Sequence, residues 1–206
     1  SIVTYTGTGS AGTIKHGLSV APSVIMVKNR SATDAWKVYH SSMASDPETD
    51  YMVLNTDASA VDDATVWNDT APTSSVFSIG THTDVNTNTE NYVAYCWNTV
   101  DGFSKFSSYI GNGNADGPFC YTGHKSSFLM IKEPGNTNNW YIWDNQRGPT
   151  NAINTRLVAE NAAAEVSDRI IDFCANGFKI REGNIAHNRS GGTYVYMSMA
   201  EHAFNG

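Results

Sequence analysis

The sequence predicts an all-β protein made of two tandem β-sandwich or jelly-roll units, residues 1–103 and 104–206. Three observations lead there. Apolar residues alternate with a period of two rather than 3.6 along most of the chain. Short apolar runs are separated by clusters of Asn, Asp, Thr and Gly, each a turn former for its own backbone reason. The chain also matches itself when displaced by 104 residues, the mark of an internal repeat.

The elements follow in order. Ile2 to Thr8 reads as a strand ended by a Gly-x-Gly turn. Ser23 to Lys28 is a continuous apolar run with Pro22 at its start, where a proline is tolerated, and it predicts a strand buried on both faces. Trp36-Lys37-Val38-Tyr39 alternates, which puts Trp36 and Val38 on one face and Tyr39 on the other. Tyr51 to Leu54, Val76 to Ile79 and Tyr92 to Trp97 complete the first set. The intervening stretches 29–34, 62–75 and 80–90 are loops. The second copy repeats this order. One segment, Asn161 to Val166, reads as a helical turn or a loop, with a weaker counterpart at Ala58-Ser59-Ala60-Val61. Whether the copies form two sandwiches or share one stays open.

The repeat is specific. Tyr5-Thr6-Gly7-Thr8-Gly9 falls on Tyr109-Ile110-Gly111-Asn112-Gly113, and Val24-Ile25-Met26-Val27-Lys28 falls on Phe128-Leu129-Met130-Ile131-Lys132. Trp36 falls on Trp140, and Tyr39 on Trp143. After Leu54 the register slips by a few residues, and Tyr92-Val93-Ala94-Tyr95 then aligns with Tyr194-Val195-Tyr196-Met197. Both copies run to a phenylalanine, Phe103 and Phe204. Such slippage belongs in loops, where changes of length are tolerated.

Composition narrows the function. Only 16% of residues are charged, the net charge is −7, and Asn and Thr number about twenty each. An acidic chain of this kind offers no general phosphate-binding face, so nucleic acid is not an expected partner. No apolar stretch is long enough to predict membrane insertion. The first residue is Ser, which reads as a processed chain or a piece of something longer, and no signal peptide is visible. Cys96, Cys120 and Cys174 form no CxxC pair and read as small apolar fillers rather than as a disulfide.

No catalytic constellation emerges: GxSxG, HExxH and the phosphate loop are all missing, so the expectation is a non-enzyme with no cofactor. Calcium is a candidate on Asp57, Asp62, Asp63 and Asp69, without a specific motif. The residues matched between copies are apolar, aromatic, Gly or the Lys28/Lys132 pair. The carboxylates are not matched, which favours a structural scaffold. Trp36 and Trp140 then read as core anchors, because aromatic residues dominate such cores. Tyr39 and Trp143, facing the other way, become surface-aromatic candidates for stacking on a sugar. Loop candidates are Asp84, Asn86 and Asn88 in the first copy and Asn184, His187 and Asn188 in the second.

Taken together, Val24-Ile25-Met26-Val27-Lys28-Asn29-Arg30-Ser31, Trp36 with Val38-Tyr39-His40, Val66-Trp67-Asn68 and Tyr92-Val93-Ala94-Tyr95-Cys96-Trp97 resemble a family of virion proteins of marine tailed bacteriophages, as do Gly111 to Phe119 and Gly191 to Met197. The resemblance covers nearly the whole chain. It implies a structural module of a tail fibre or spike, on the outside of the virion, with a concanavalin-lectin-like or jelly-roll sandwich and no catalytic residues. The implied partners are other virion proteins, further copies of the chain in a homo-oligomer (a trimer for a fibre) and host surface glycans. Alternatives are a carbohydrate-binding module of a secreted or surface protein, a capsid decoration protein and a polysaccharide depolymerase.

Overall fold

The computed structural model describes residues 1–203 and is all-β, apart from three single-turn helices among those residues. Phe204 lies outside the described residues. The chain divides into two compact units: residues 1–55 with 60–98, and residues 56–59 with 99 onward. The division between Asn98 and Thr99 lies before the Phe103 boundary expected from the repeat, and the short 56–59 segment joins the second unit.

The first unit contains β1 (Ile2–Thr6), β2 (Gly12–Lys15), β3 (Val24–Asn29), β4 (Lys37–His40), β5 (Asp50–Val53), β6 (Val61–Asp62), α1 (Ala64–Trp67), β7 (Val76–Ile79), α2 (Thr83–Asn86) and β8 (Asn91–Trp97). Six strands form an antiparallel sheet in the order β1-β8-β3-β4-β5-β6, and β2 pairs with β7 in a separate ribbon. Ile25, Val27, Tyr39, Tyr92, Ala94 and Cys96 from the sheet pack with Phe77 and Ile79 of β7 and with Val66 and Trp67 of α1. Residues 24–27 are all 5% exposed or less, so β3 is buried on both faces as its unbroken apolar run predicts.

The second unit contains β9 (Ser104–Ile110), β10 (Phe119–Tyr121), β11 (Ser126–Lys132), β12 (Tyr141–Asp144), β13 (Ile153–Val158), β14 (Val166–Cys174), β15 (Gly177–Ile180), α3 (Ile185–Asn188) and β16 (Thr193–Ala200). They form one eight-stranded sheet in the order β10-β15-β14-β13-β12-β11-β16-β9. The sheet curls over its own core. Phe178 of β15 stands 5.0 Å from Tyr196 of β16, and 6.1 Å from Tyr109 of β9, although these strands lie near opposite ends of the order.

The two strand orders correspond. From the β9 end, β9-β16-β11-β12-β13-β14 repeats β1-β8-β3-β4-β5-β6, and β15-β10 repeats β7-β2. The difference lies in one strand. β6 has two residues and ends the first sheet, whereas β14 has nine and pairs with both β13 and β15. A long β14 therefore joins in the second unit what remains two sheets in the first.

Of the two readings of Asn161 to Val166 the loop holds: residues 161–165 are irregular and Val166 opens β14, while the helical turns lie at 64–67, 83–86 and 185–188. A single turn is too short to display a 3.6-residue period, so it leaves no signal in the pattern. One expectation is corrected, and it concerns faces. Tyr39 pairs with Ile25 and Trp143 with Leu129 across their ladders, and both point into the cores, at 4% and 0% exposure. Trp36 is half-buried on the other face, stacked 6.1 Å from Tyr95. Alternation tells which residues share a face, not which face is interior. Trp140, at 2% exposure, is buried as an anchor should be.

Candidate functional site

The matched residues build the same hydrogen-bonded lock in each unit. In the first, Asn86 of α2 is fully buried; its Oδ1 accepts from Thr8 N, and its Nδ2 donates to the Ser10 and Gly80 carbonyls. In the second, Asn188 of α3 repeats this with Asn112 N, the Asn114 carbonyl and the Glu182 carbonyl, and adds Asn112 Oδ1. Tyr5 stacks on Tyr92 at 5.1 Å, and Tyr109 on Tyr194 at 5.1 Å. The Tyr92 hydroxyl donates to the Thr83 carbonyl and accepts from Thr87 N, while Tyr194 does the same with Ile185 and Arg189. Burial pushes the Tyr194 hydroxyl up to about 12, so these rings stay neutral donors at ordinary pH.

Gly7 and Gly111 explain the Tyr-x-Gly-x-Gly spacing. A Cβ on Gly7 would lie 2.1 Å from the Thr87 carbonyl oxygen, and one on Gly111 would lie 2.3 Å from that of Arg189. Gly9 and Gly113 have φ of 71° and 68°, a left-handed conformation that glycine adopts without penalty. The motif therefore lets the end of β1 or β9 run flush against the helix-to-strand loop that follows α2 or α3.

The matched lysines are also internal. Lys28 Nζ donates to the Asn29 and Ala32 carbonyls. Lys132, 1% exposed, shares its three N–H donors among four carbonyl oxygens within 3.2 Å, those of Asp57, Glu133, Asn136 and Asn138. Burial pushes its ammonium down to about 8, against the opposing pull of Glu160, Asp57 and Glu133. It holds the 56–59 segment and the loop after β11 in the second unit.

Beside that loop the second unit has a groove of about 520 Å³, lined among others by Glu133, Asn138, Arg169, Asn184, Ile185 and Arg189. Glu133, with its side chain 3% exposed, anchors the floor. Its Oε1 accepts from Arg189 Nε at 2.9 Å, from Arg189 Nη2 at 2.5 Å and from Asn136 Nδ2, and its Oε2 accepts from Asn138. Asn138 Nδ2 also donates to the Ala186 carbonyl. Arg169 Nη1 donates to the Asp168 carbonyl and pairs with Asp168 Oδ2 at 3.1 Å, while its Nε is buried without a partner. Asn184 caps α3, its Oδ1 accepting from Ala186 N.

The eight sequence candidates fare differently. Tyr39 and Trp143 are core residues, not surface aromatics. Asn86 and Asn188 are the locks just described, because a buried amide must satisfy its donors and acceptor internally. His187 is fully buried, with Nε2 3.1 Å from Glu182 Oε1. Asp84 is half-buried and pairs with Lys37 at 3.3 Å. Asn88 is exposed on the loop after α2. Asn184 alone of the eight lines the groove. Glu133, Asn138, Arg169 and Arg189 escape sequence reasoning because they come from separate segments; Glu133 and Arg189 are 56 residues apart. One signal does exist. Glu133 and Arg189 stand where the first copy has Asn29 and Thr87, a local break in an otherwise matched frame.

Other polar groups are structural. His124 Nε2 bonds Ser198 Oγ at 2.9 Å, and Ser198 bonds Ser126 at 2.8 Å, but both hydroxyls are fully buried and out of reach of a substrate. All three thiols are free; Cys96 and Cys120 are buried, and burial pushes them up to about 11 and about 12. Among the described residues no group of three or more His, Cys, Asp and Glu side chains could hold a metal ion. Of the calcium candidates, Asp63 caps α1, and Asp62 pairs with Asp50 at the sheet end. No helix of the described residues is long and apolar enough to cross a membrane.

No curated protein matches the chain. Among solved structures it is similar to the crystal structure of the STIV MCP, at 11% identity over 97% of this chain and 96% of that one, with a TM-score of 0.26. A likeness that weak carries no argument about fold or role. The family comparison is firm: its model spans residues 1–203, and the chain belongs to the family described as a domain of unknown function, DUF7483.

Proposed function

We propose that the chain is a non-enzymatic structural module of a phage virion, part of a tail fibre or spike on the particle's outer surface. The observation that carries the reading is what the repeat retains. Tyr5/Tyr109, Gly7/Gly111, Asn86/Asn188, Tyr92/Tyr194 and Lys28/Lys132 are all committed to internal bonds or close packing in both units. Duplication has preserved a scaffold and left the carboxylates free to vary. This fits the resemblance to marine phage virion proteins. A surface with few charges and many amides and hydroxyls suits high-salt surroundings, where charge steering reaches only a few ångström. Each unit is proposed to be a jelly-roll or concanavalin-like sandwich. The chain is proposed to work as a homo-trimer without a cofactor.

Immunogold electron microscopy of purified particles tests the location; a chain missing from every particle ends the proposal. Light scattering of the purified protein tests the assembly, with three times 22.4 kDa as the expected mass. The groove beside Glu133 favours a second reading within the first, contact with host surface glycans. Glycan-array screening with and without calcium tests that contact.

A further inference from the structure

The groove of the second unit has a chemistry that the matched region of the first unit lacks. Its lining carries two guanidiniums, Arg169 and Arg189, against one carboxylate, Glu133. That carboxylate is saturated: Arg189, Asn136 and Asn138 all donate to it. Arg189 nevertheless keeps its side chain 44% exposed, and only its Nε and Nη2 are engaged. Arg169 pairs through Nη1 with Asp168 Oδ2 at 3.1 Å, and its Nε is a buried donor with no acceptor. Asn184 uses its oxygen as a helix cap, which leaves its amide N–H groups for the groove. Ile185, 72% exposed, adds an apolar rim. In the first unit the corresponding positions hold Asn29, Asp34, His82, Thr83, Asp84 and Thr87, with two acids and no arginine. The frame is shared, but the positive lining belongs to one copy.

We propose that this groove binds an acidic sugar residue of the uronic-acid class, its carboxylate on Arg189 and Arg169 and its hydroxyls on Asn184 and on Thr137, which also lines the groove. The carboxylate meets the guanidinium donors that Glu133 and Asp168 leave free, in charge-assisted bonds, which are stronger than neutral ones. The volume of about 520 Å³ lies in the range of small-molecule sites and holds one or two pyranose rings. The Ile185 side chain offers the C–H face of a ring an apolar contact. This inference rests on the glycan-contact reading and names the class of glycan.

The test is calorimetric titration of the full chain with digalacturonate, with the neutral digalactoside and with acetate. Digalacturonate should bind, and the other two should bind at least about tenfold more weakly. Arg189→Gln should weaken binding by a similar factor. Because that change also unpairs Glu133, Ile185→Asp is the second variant: it breaks no bond, sets a negative charge on the rim, and should abolish digalacturonate binding with the thermal midpoint unchanged. Equal binding of the neutral disaccharide overturns the carboxylate assignment and leaves glycan contact standing. Equal binding of acetate overturns the sugar assignment. No binding of either sugar at about 10 mM overturns the groove as a uronic-acid site, and the glycan array then decides the glycan-contact reading separately. None of these outcomes bears on the virion role, which particle microscopy decides.

Discussion

Asn86 and Asn188 were visible in the sequence as loop polar residues, yet nothing there separated a ligand contact from an internal one. Burial makes the distinction, since a fully buried amide with every group partnered is part of the backbone's own bonding. Asn188→Ala should therefore cost about 2–4 kcal/mol, because it leaves Asn112 N and the Asn114 and Glu182 carbonyls without partners. The midpoint of urea unfolding measures this; a change under about 0.5 kcal/mol would refute the lock. His124 makes a pH prediction. Burial holds its ring below the ordinary value of 6.5. The unfolded chain therefore takes up a proton that the folded chain resists, and stability is fully present above 6.5 and declines as pH falls below it. His124→Gln should remove that part of the decline when melting temperatures are compared from neutral to acid pH.

The strands were the most legible elements, because alternation and turn formers mark them directly. Of the hairpin ribbon β2–β7 the pattern marks only Val76 to Ile79, and the alanine-rich approach to β14, which reads as a helical turn or a loop, hides that strand's nine residues. The Tyr-x-Gly-x-Gly spacing was legible as a turn, but its reason is a close crossing of two elements distant in sequence. Gly111→Ala should cost about 3 kcal/mol or more, since its Cβ would lie 2.3 Å from a backbone oxygen that cannot swing away. Gly102 makes the contrast: with φ of 70° and nothing within 4 Å, Gly102→Ala should cost only about 1 kcal/mol. Thermal unfolding of the pair reads the difference, and equal losses would show that conformation rather than close approach governs both sites.

Among the described residues two cores form, each drawn from its own unit. One gathers Tyr109, Leu129, Trp143, Phe178 and Tyr194, and the other Ile25, Tyr39, Phe77, Tyr92 and Ala94. Trp143 is fully buried, so Trp143→Ala should cost about 3–5 kcal/mol. Amide hydrogen exchange should locate the loss. Protection should fall in β11 and β12 and hold at the wild-type level in β3 and β8. Uniform loss across all four strands would refute the separation of the cores.

Period and repetition are local properties, so residue order alone was enough for the all-β class, most strand positions and the two-copy plan. Self-similarity likewise marks Tyr5, Gly7 and Lys28 as scaffold. Facing and convergence are not local. Which side of β4 and β12 is interior depends on what packs against it, and this turned Tyr39 and Trp143 from surface candidates into core. Glu133, Arg169 and Arg189 share a groove only because a curled sheet and a one-turn helix bring three distant segments together, and no spacing along the chain encodes that meeting.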